Sequence, residues 1–227
     1  MSKPQDGLVS RFLNRPISRF ITRFLLKFPI HPHTWTLSIF ILPIVSCYFL
    51  VRGDYASIVI GAAVFQVYSI LDGCDGEIAR AKGLESRRGE FLDGFCDFLA
   101  SLIFVITLGF GLGRPLAGIV CAALIAANEL FLGLTHGEIK LHSPSLHLRH
   151  RRMVEHSGLH HLGDKVVWWL ANLTKRDVAV LFFLFLALID EPDWILWLWS
   201  AVASVSLILS AIAAIRAGAR KLIAPRP

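Results

Sequence analysis

Long apolar runs with few or no charged residues are the feature that most restricts the fold of this chain. Six can be traced, at 34–51, 56–70, 89–112, 116–134, 178–189 and 194–215. A soluble core does not need apolar runs of this length, whereas a helix that crosses a bilayer does. The hydrophobic content of 55% and the mean hydropathy of +0.59 agree with this. We therefore predict an all-α integral membrane protein built as a six-transmembrane-helix bundle.

The basic residues are distributed unevenly among the segments that join these runs. Of the 23 lysines and arginines, all but Arg52 and Arg114 fall in the N-terminal segment, between Asp72 and Glu90, in 136–176 or in the C-terminal tail. Basic segments stay on the cytoplasmic side of a membrane. We therefore expect a multi-pass protein of a prokaryotic inner membrane with both termini in the cytoplasm. The net charge of +6 then reflects topology and does not indicate nucleic-acid binding.

The first 30 residues have a pattern of their own. Basic residues recur at every fourth position from Arg11 to Lys27, and apolar residues fill another face. This pattern is typical of a helix that lies in the membrane interface, or of one packed on the protein's own cytoplasmic face. Pro16 either divides this helix or begins a second one, and no uninterrupted apolar stretch of a signal peptide is found. We predict two regions, an interfacial helix at 1–30 and a membrane domain at 31–227.

Four aspartates lie at the facing ends of the second and third runs. Asp72 and Asp75 are three residues apart, and Asp93 and Asp97 are four apart, so each pair shares one face of a helix. Two helices joined by a loop at 83–88 would point all four carboxylates at one another. Close carboxylates repel unless cations separate them, and hard divalent ions take oxygen ligands. Helix capping is the alternative, but it suits only the second pair.

The spacing around these aspartates is D-x2-D-G-x2-A-R-x8-G-x3-D-x3-D. Its eight fixed positions are Asp72, Asp75, Gly76, Ala79, Arg80, Gly89, Asp93 and Asp97. This motif resembles that of the CDP-alcohol phosphotransferase family of integral membrane enzymes. The resemblance implies that an acceptor hydroxyl attacks the phosphorus of a CDP-alcohol and releases CMP. It also implies membrane lipids as partners and a homodimer.

The resemblance assigns roles to the motif residues. Asp72, Asp75 and Asp93 are implied to hold two Mg²⁺ or Mn²⁺ ions. Asp97 is implied to be the catalytic base and to touch one ion. Four further residues are implied to form and steady the cytidine slot: Gly76, Ala79, Arg80 and Gly89. The site would then open at the cytoplasmic membrane surface.

Other polar residues are weaker candidates for substrate binding. His33 stands in the string P-H-T-W-T at positions 32–36, where many relatives carry P-N-x-x-T, and it either contacts the nucleotide or simply begins a helix. Glu129 lies within an apolar run and either binds the acceptor or bonds to a neighbouring helix. Four arginines are candidates for a headgroup or acceptor phosphate, in a His-rich segment that could also be a solvated loop or, less readily, a zinc site. They are Arg149, Arg151, Arg152 and Arg176.

The substrates are less defined by the sequence than the chemistry is. The strings N-R-P-I-S-R and T-K-R-D resemble the branch near di-myo-inositol phosphate phosphate synthase. We expect a CDP-diacylglycerol or CDP-inositol-like donor and an alcohol or sugar-phosphate acceptor. Two alternatives are a polytopic cation transporter, which would carry acids deeper in the membrane, and a non-catalytic relative, which would have lost an aspartate.

Overall fold

The structure, a computed structural model, describes residues 8–136 and 175–223. All regular elements in these two ranges are helical, as predicted. A π-helical turn, Ser10–Asn14, comes first. It is followed by α1 (Arg15–Leu25), α2 (Pro32–Ile39), α3 (Ile41–Leu50), α4 (Tyr55–Lys82), α5 (Arg87–Gly111), α6 (Pro115–His136), α7 (Arg176–Leu188) and α8 (Asp193–Ile223).

Three stretches of the described residues are long and apolar enough to cross a membrane. They are Pro32–Leu50, Tyr55–Lys82 and Arg87–Gly111, which match the first three predicted spans. Shorter apolar helical stretches, Pro115–Phe131 and Asp193–Ile208, lie where the fourth and sixth spans are predicted. The chain therefore has the helices of a membrane protein, and the count of six spans stays a prediction.

An aromatic cluster joins four helices at the centre of the bundle. The ring of Phe104 on α5 lies 4.4 Å from Phe65 on α4, 4.9 Å from Phe183 on α7 and 5.6 Å from Trp199 on α8, between centroids. The three phenylalanines are fully buried. Close packing of these rings holds the four helices together, so the cluster fixes the relative positions of the helices that carry the polar residues one to two turns away.

The ends of α4 and α5 are defined by local polar contacts. Asp54 accepts a hydrogen bond from the amide of Ser57 at 3.0 Å and caps the start of α4. The hydrogen bonds from Ser57 lower the pKa of Asp54 below its ordinary value. Gly83, with φ of 64°, ends α4 in the left-handed conformation that glycine adopts without strain. Ser86 then caps α5 by accepting from the amide of Gly89 at 3.1 Å.

The N-terminal helix α1 buries a polar face. The π-helical turn runs into α1 without a break, and Pro16 occupies the first turn of α1, where its fixed φ fits the helix. Ser18 and Thr22 are buried against α4, while Phe20 remains 75% exposed. The sequence pattern predicts only a basic and an apolar face, and the structure adds this third one. Its place in a membrane interface stays a prediction.

Candidate active site

Three carboxylates converge between α4 and α5. Oxygens of Asp72, Asp75 and Asp93 all lie within 4.8 Å of one another. One oxygen of Asp72 and one of Asp93 are buried and have no hydrogen-bond partner. The structure thus brings together three of the four predicted aspartates in the way that the helical spacing predicts.

Helix α4 carries its pair of aspartates in its interior. The predicted apolar run ends at Ile70, but the helix continues unbroken to Lys82. Two glycines in this extension, Gly73 and Gly76, lower its intrinsic helix propensity by about 1 kcal/mol each. Contacts with α1 and α2 on its flanks compensate for that cost. Asp72 and Asp75 are therefore held by a packed helix and not by a fraying end.

Helix α2 supports this extension from the other side. The hydroxyl of Thr36 donates to one oxygen of Asp75 at 2.7 Å, and Thr36 is only 3% exposed. The other oxygen of Asp75 accepts from the amide of Gly76. The indole of Trp35 donates to the carbonyl of Leu71 at 3.1 Å. These contacts fix both the helix and the orientation of one carboxylate.

The fourth aspartate has different surroundings. Asp97 forms an ion pair with Arg176 at the start of α7. Its other oxygen accepts a hydrogen bond from the hydroxyl of Tyr68 at 3.0 Å. The guanidinium of Arg176 also lies over the ring of Tyr68, 5.4 Å from its centroid. Both oxygens of Asp97 are thus engaged by protein groups, and Asp97 is not among the three convergent acids.

The predicted cytidine slot and His33 lie at the rim of the same region. The ring nitrogen Nε2 of His33 is 3.4 Å from the hydroxyl of Ser86. A Cβ built at Gly89 would lie 2.9 Å from the same nitrogen. A Cβ at Gly76 would lie 3.2 Å from the guanidinium of Arg80. These glycines therefore adjoin polar groups closely, and Ala79 occupies the same turn of α4 as Arg80. Contact with a nucleotide stays a prediction.

The remaining predicted residues divide into two groups. Glu129 is half-buried on α6, which contacts α5 and α8. The neighbouring Asn128 has a buried side-chain oxygen without a hydrogen-bond partner. Three of the candidate arginines lie outside the described residues: Arg149, Arg151 and Arg152.

Two residues that the sequence analysis does not place in the site contact its aspartates, Thr36 and Tyr68. Tyr68 precedes Asp72 by four residues, so helical spacing puts the two on one face of α4. Thr36 precedes Asp75 on a different helix, and only the proline and threonine of P-H-T-W-T point to it. Tyr68 could have been found from helical periodicity, and Thr36 only from the string P-H-T-W-T.

The three convergent acids suit a hard divalent cation. Their ligand atoms are carboxylate oxygens, which Mg²⁺ and Mn²⁺ prefer, and cysteine is absent from the cluster. The two unpartnered oxygens are costly to bury unless a cation approaches them. The residues therefore fit a metal ion, whose number and identity belong to the proposal below.

Convergent aspartates within long apolar helices indicate a functional site inside a membrane protein. The profile of the CDP-alcohol phosphatidyltransferase family matches residues 30–217, and the chain belongs to this family. The match extends over most of the chain and includes both helices that carry the aspartates. It confirms the predicted enzyme class.

Related proteins fall in the predicted branch. The chain is 42% identical over 112 residues to a protein of Rubrobacter xylanophilus named bifunctional IPC transferase and DIPP synthase. It is 35% identical over 100 residues to a protein of the same name from Archaeoglobus fulgidus. These matches cover 49% and 44% of this chain but only 25% and 19% of the relatives. The matched regions thus correspond to a quarter or less of those longer proteins.

Proposed function

We propose that the protein transfers a substituted phosphate group from a CDP-alcohol to the hydroxyl of an acceptor alcohol and releases CMP. The observation that carries this proposal is the cluster of Asp72, Asp75 and Asp93, with two buried oxygens that lack partners. A nucleoside diphosphate ester presents two adjacent anionic phosphates, which repel a bare acidic site. The cluster therefore suits this substrate only when divalent ions are bound.

Two Mg²⁺ or Mn²⁺ ions, when bound, would neutralise the pyrophosphate and stabilise the departing CMP oxygen. Asp72, Asp75 and Asp93 would hold them. Thr36 keeps Asp75 oriented toward the cluster through its 2.7 Å hydrogen bond. The buried setting excludes water, which would otherwise compete with the acceptor as nucleophile.

Asp97 accepts the proton of the acceptor hydroxyl in this proposal. The acceptor oxygen forms a bond to phosphorus, the phosphoanhydride bond breaks, and CMP leaves with the bonding electrons. Because Tyr68 and Arg176 engage both oxygens of Asp97, one oxygen must be released when the acceptor arrives. Arg176 has two buried nitrogens, Nε and Nη2, without hydrogen-bond partners. They suit an anionic oxygen of the substrate, which draws Arg176 away from Asp97.

The donor and acceptor follow from the branch of the family. The names of the relatives, IPC transferase and DIPP synthase, favour a CDP-inositol donor with an inositol phosphate acceptor, or a lipid donor with the same acceptor. Incubation of the purified protein with Mg²⁺, CDP-inositol or CDP-diacylglycerol and a panel of acceptors tests this. We expect CMP and one phosphodiester by mass spectrometry. Folded protein that binds Mn²⁺ yet releases no CMP with any pair would identify a non-catalytic relative.

The cytoplasmic location of the site is a further part of the proposal. The four native cysteines are buried, so an added cysteine can be labelled selectively. A cysteine at Glu85, in the loop between α4 and α5, should react with an impermeant reagent only from the cytoplasmic side. A cysteine at Arg52, in the turn before α4, should react only from the opposite side. The reverse pattern would invert the topology.

A further inference from the structure

Glu77 is an acid of the site helix that does not face the aspartate cluster. It follows Asp75 by two residues, which turns its side chain about 160° around the helix from Asp75. Its side chain is only 11% exposed. A buried carboxylate requires donors, and within the described part of the chain Glu77 accepts hydrogen bonds from side chains of α1.

Three side chains of α1 converge on this carboxylate. Thr22 donates to Oε2 at 2.8 Å, Ser18 donates to Oε1 at 3.0 Å, and Arg15 donates to Oε1 at 3.4 Å. Their spacing along α1 puts them on one face, one turn after another. We call Glu77 and these three residues the α1 clamp.

Two further bonds join α1 to the part of α4 that lies between Asp72 and Asp75. The guanidinium of Arg15 donates to the carbonyl of Gly73 at 3.2 Å, and the thiol of Cys74 donates to the carbonyl of Ser18 at 3.5 Å. Gly73 and Cys74 lie between Asp72 and Asp75 in the sequence. The helical turn that presents these acids is therefore bonded to α1 on its opposite face.

The residues before α1 extend this contact along the site. The side chain of Asn14 donates to the hydroxyl of Ser69 at 3.2 Å and accepts from Gln66 at 3.2 Å. The amide of Ser10 donates to Asp177 at 2.6 Å. Asp177 follows Arg176, the partner of Asp97. The N-terminal segment thus contacts α4 from Gln66 onward and also the start of α7.

The interface between α1 and α4 is polar, and this allows α1 to fix the position of α4 as well as to pack against it. Apolar contacts tolerate sliding and rotation, whereas hydrogen bonds to a buried carboxylate are directional and are lost when the helix shifts. The side chain of Ser18 is fully buried while Phe20 and Phe24 on the same helix are 75% and 57% exposed. Helix α1 therefore packs its small polar residues against α4 and leaves its aromatic residues exposed.

We infer that Glu77 is a positioning residue, through which α1 sets the position of Asp72 and Asp75 and hence the divalent-metal affinity of the site. The inference rests on the proposed function for the identity of the ligand. It predicts that loosening α1 weakens metal binding although none of the α1 residues reaches the cluster.

The test compares Thr22→Val with Thr22→Ser in the purified full chain. Valine keeps the shape of threonine but removes the hydroxyl that donates to Glu77, whereas serine keeps the hydroxyl. We expect Thr22→Val to weaken Mn²⁺ binding, measured by electron paramagnetic resonance, about tenfold, and Thr22→Ser to match the unchanged protein. Ser38→Ala is the matched control, because its hydroxyl is exposed and donates to the carbonyl of Thr34 on its own helix.

A second variant covers the case in which Thr22→Val does not fold. Glu77→Gln keeps one acceptor oxygen and places an amide nitrogen, which can donate to a hydroxyl, at the other position. It also loses the ion pair with Arg15, and we expect a smaller loss of Mn²⁺ affinity. Circular dichroism and gel filtration check the fold of each variant. Folded Thr22→Val or Glu77→Gln with unchanged Mn²⁺ affinity would overturn the inference, as would an unchanged protein that binds no Mn²⁺. An unchanged protein that binds Mn²⁺ but releases no CMP overturns only the proposed reaction.

Discussion

The cluster of three aspartates and the fourth motif aspartate, Asp97, have opposite electrostatic surroundings. Asp72, Asp75 and Asp93 face one another, and the described residues show no ion pair between them and an arginine or lysine. Asp97, one turn along α5 from Asp93, has Arg176 on one oxygen and Tyr68 on the other. The same residue type is thus placed in two environments within a single site.

The difference indicates a division of labour. Acids without a protein cation need one from solution, which is the condition for a metal site. An acid that the protein already pairs does not need one, and it can exchange its partner for a substrate group. Four substitutions test whether this division is real, and they are ordered from the largest expected effect.

Asp93→Asn should have the largest effect, because it removes a charged ligand from the cluster of three. We expect loss of Mn²⁺ binding and a fall in CMP release of about ten thousandfold, equivalent to about 5 kcal/mol of transition-state stabilisation. Isothermal titration with Mn²⁺ and a CMP assay measure the two effects. Retained metal binding would remove Asp93 from the ligand set.

Asp97→Asn should separate the two environments most clearly. Without a base the turnover should fall about a thousandfold, while Mn²⁺ binding and binding of the nucleotide persist. If the folded variant loses Mn²⁺ as completely as Asp93→Asn does, Asp97 is a metal ligand and the division proposed above is wrong.

Arg176→Gln leaves a buried carboxylate without its cation. Loss of one partner of a buried pair should lower the free energy of unfolding by about 3 kcal/mol and kcat/KM by about a hundredfold, mainly through a higher KM for a phosphorylated acceptor. Thermal unfolding and steady-state kinetics check both. The control is Arg52→Gln, whose exposed contact with Asp54 spans 3.9 Å and should leave both unchanged. A raised KM for the donor alone would place Arg176 on the nucleotide side.

Tyr68→Phe removes one hydroxyl from the Asp97 side and should have the smallest effect. We expect kcat to fall about tenfold, the cost of one hydrogen bond to a charged group, with unchanged Mn²⁺ affinity. The matched variant is Thr36→Val, which removes the hydroxyl that donates to Asp75. It should lower Mn²⁺ affinity more than Tyr68→Phe does. Equal changes in metal affinity from both variants would show that the four aspartates act as one unit.

The sequence predicts the aspartate cluster because its information is local. Two pairs of acids at helical spacing suffice to bring Asp72, Asp75 and Asp93 together. The loop between the pairs begins at Gly83 and ends at Ser86. Most helix bounds follow from the apolar runs, but the first run, 34–51, is divided into α2 and α3, α8 extends beyond Ile215, and α4 extends beyond Ile70. That extension depends on contacts with α1 and α2, which a local pattern does not contain.

The surroundings of Asp97 depend on residues far apart in the chain. The sequence offers Arg176 as a phosphate ligand, but nothing in its spacing pairs it with Asp97 on another helix. The buried face of α1 escapes prediction for a different reason. Ser18 and Thr22 are small and polar, so hydropathy reads them as solvent-facing, whereas their burial follows from the carboxylate of Glu77 beneath them.

The ion pair between α5 and α7 also has a consequence for biosynthesis. Because translation proceeds from the N-terminus, Asp97 is made before the arginine that pairs with it. A growing chain therefore passes through a stage in which α4 and α5 have been synthesised and Arg176 has not. Until that arginine is added, one oxygen of Asp97 lacks the partner that it has in the finished protein.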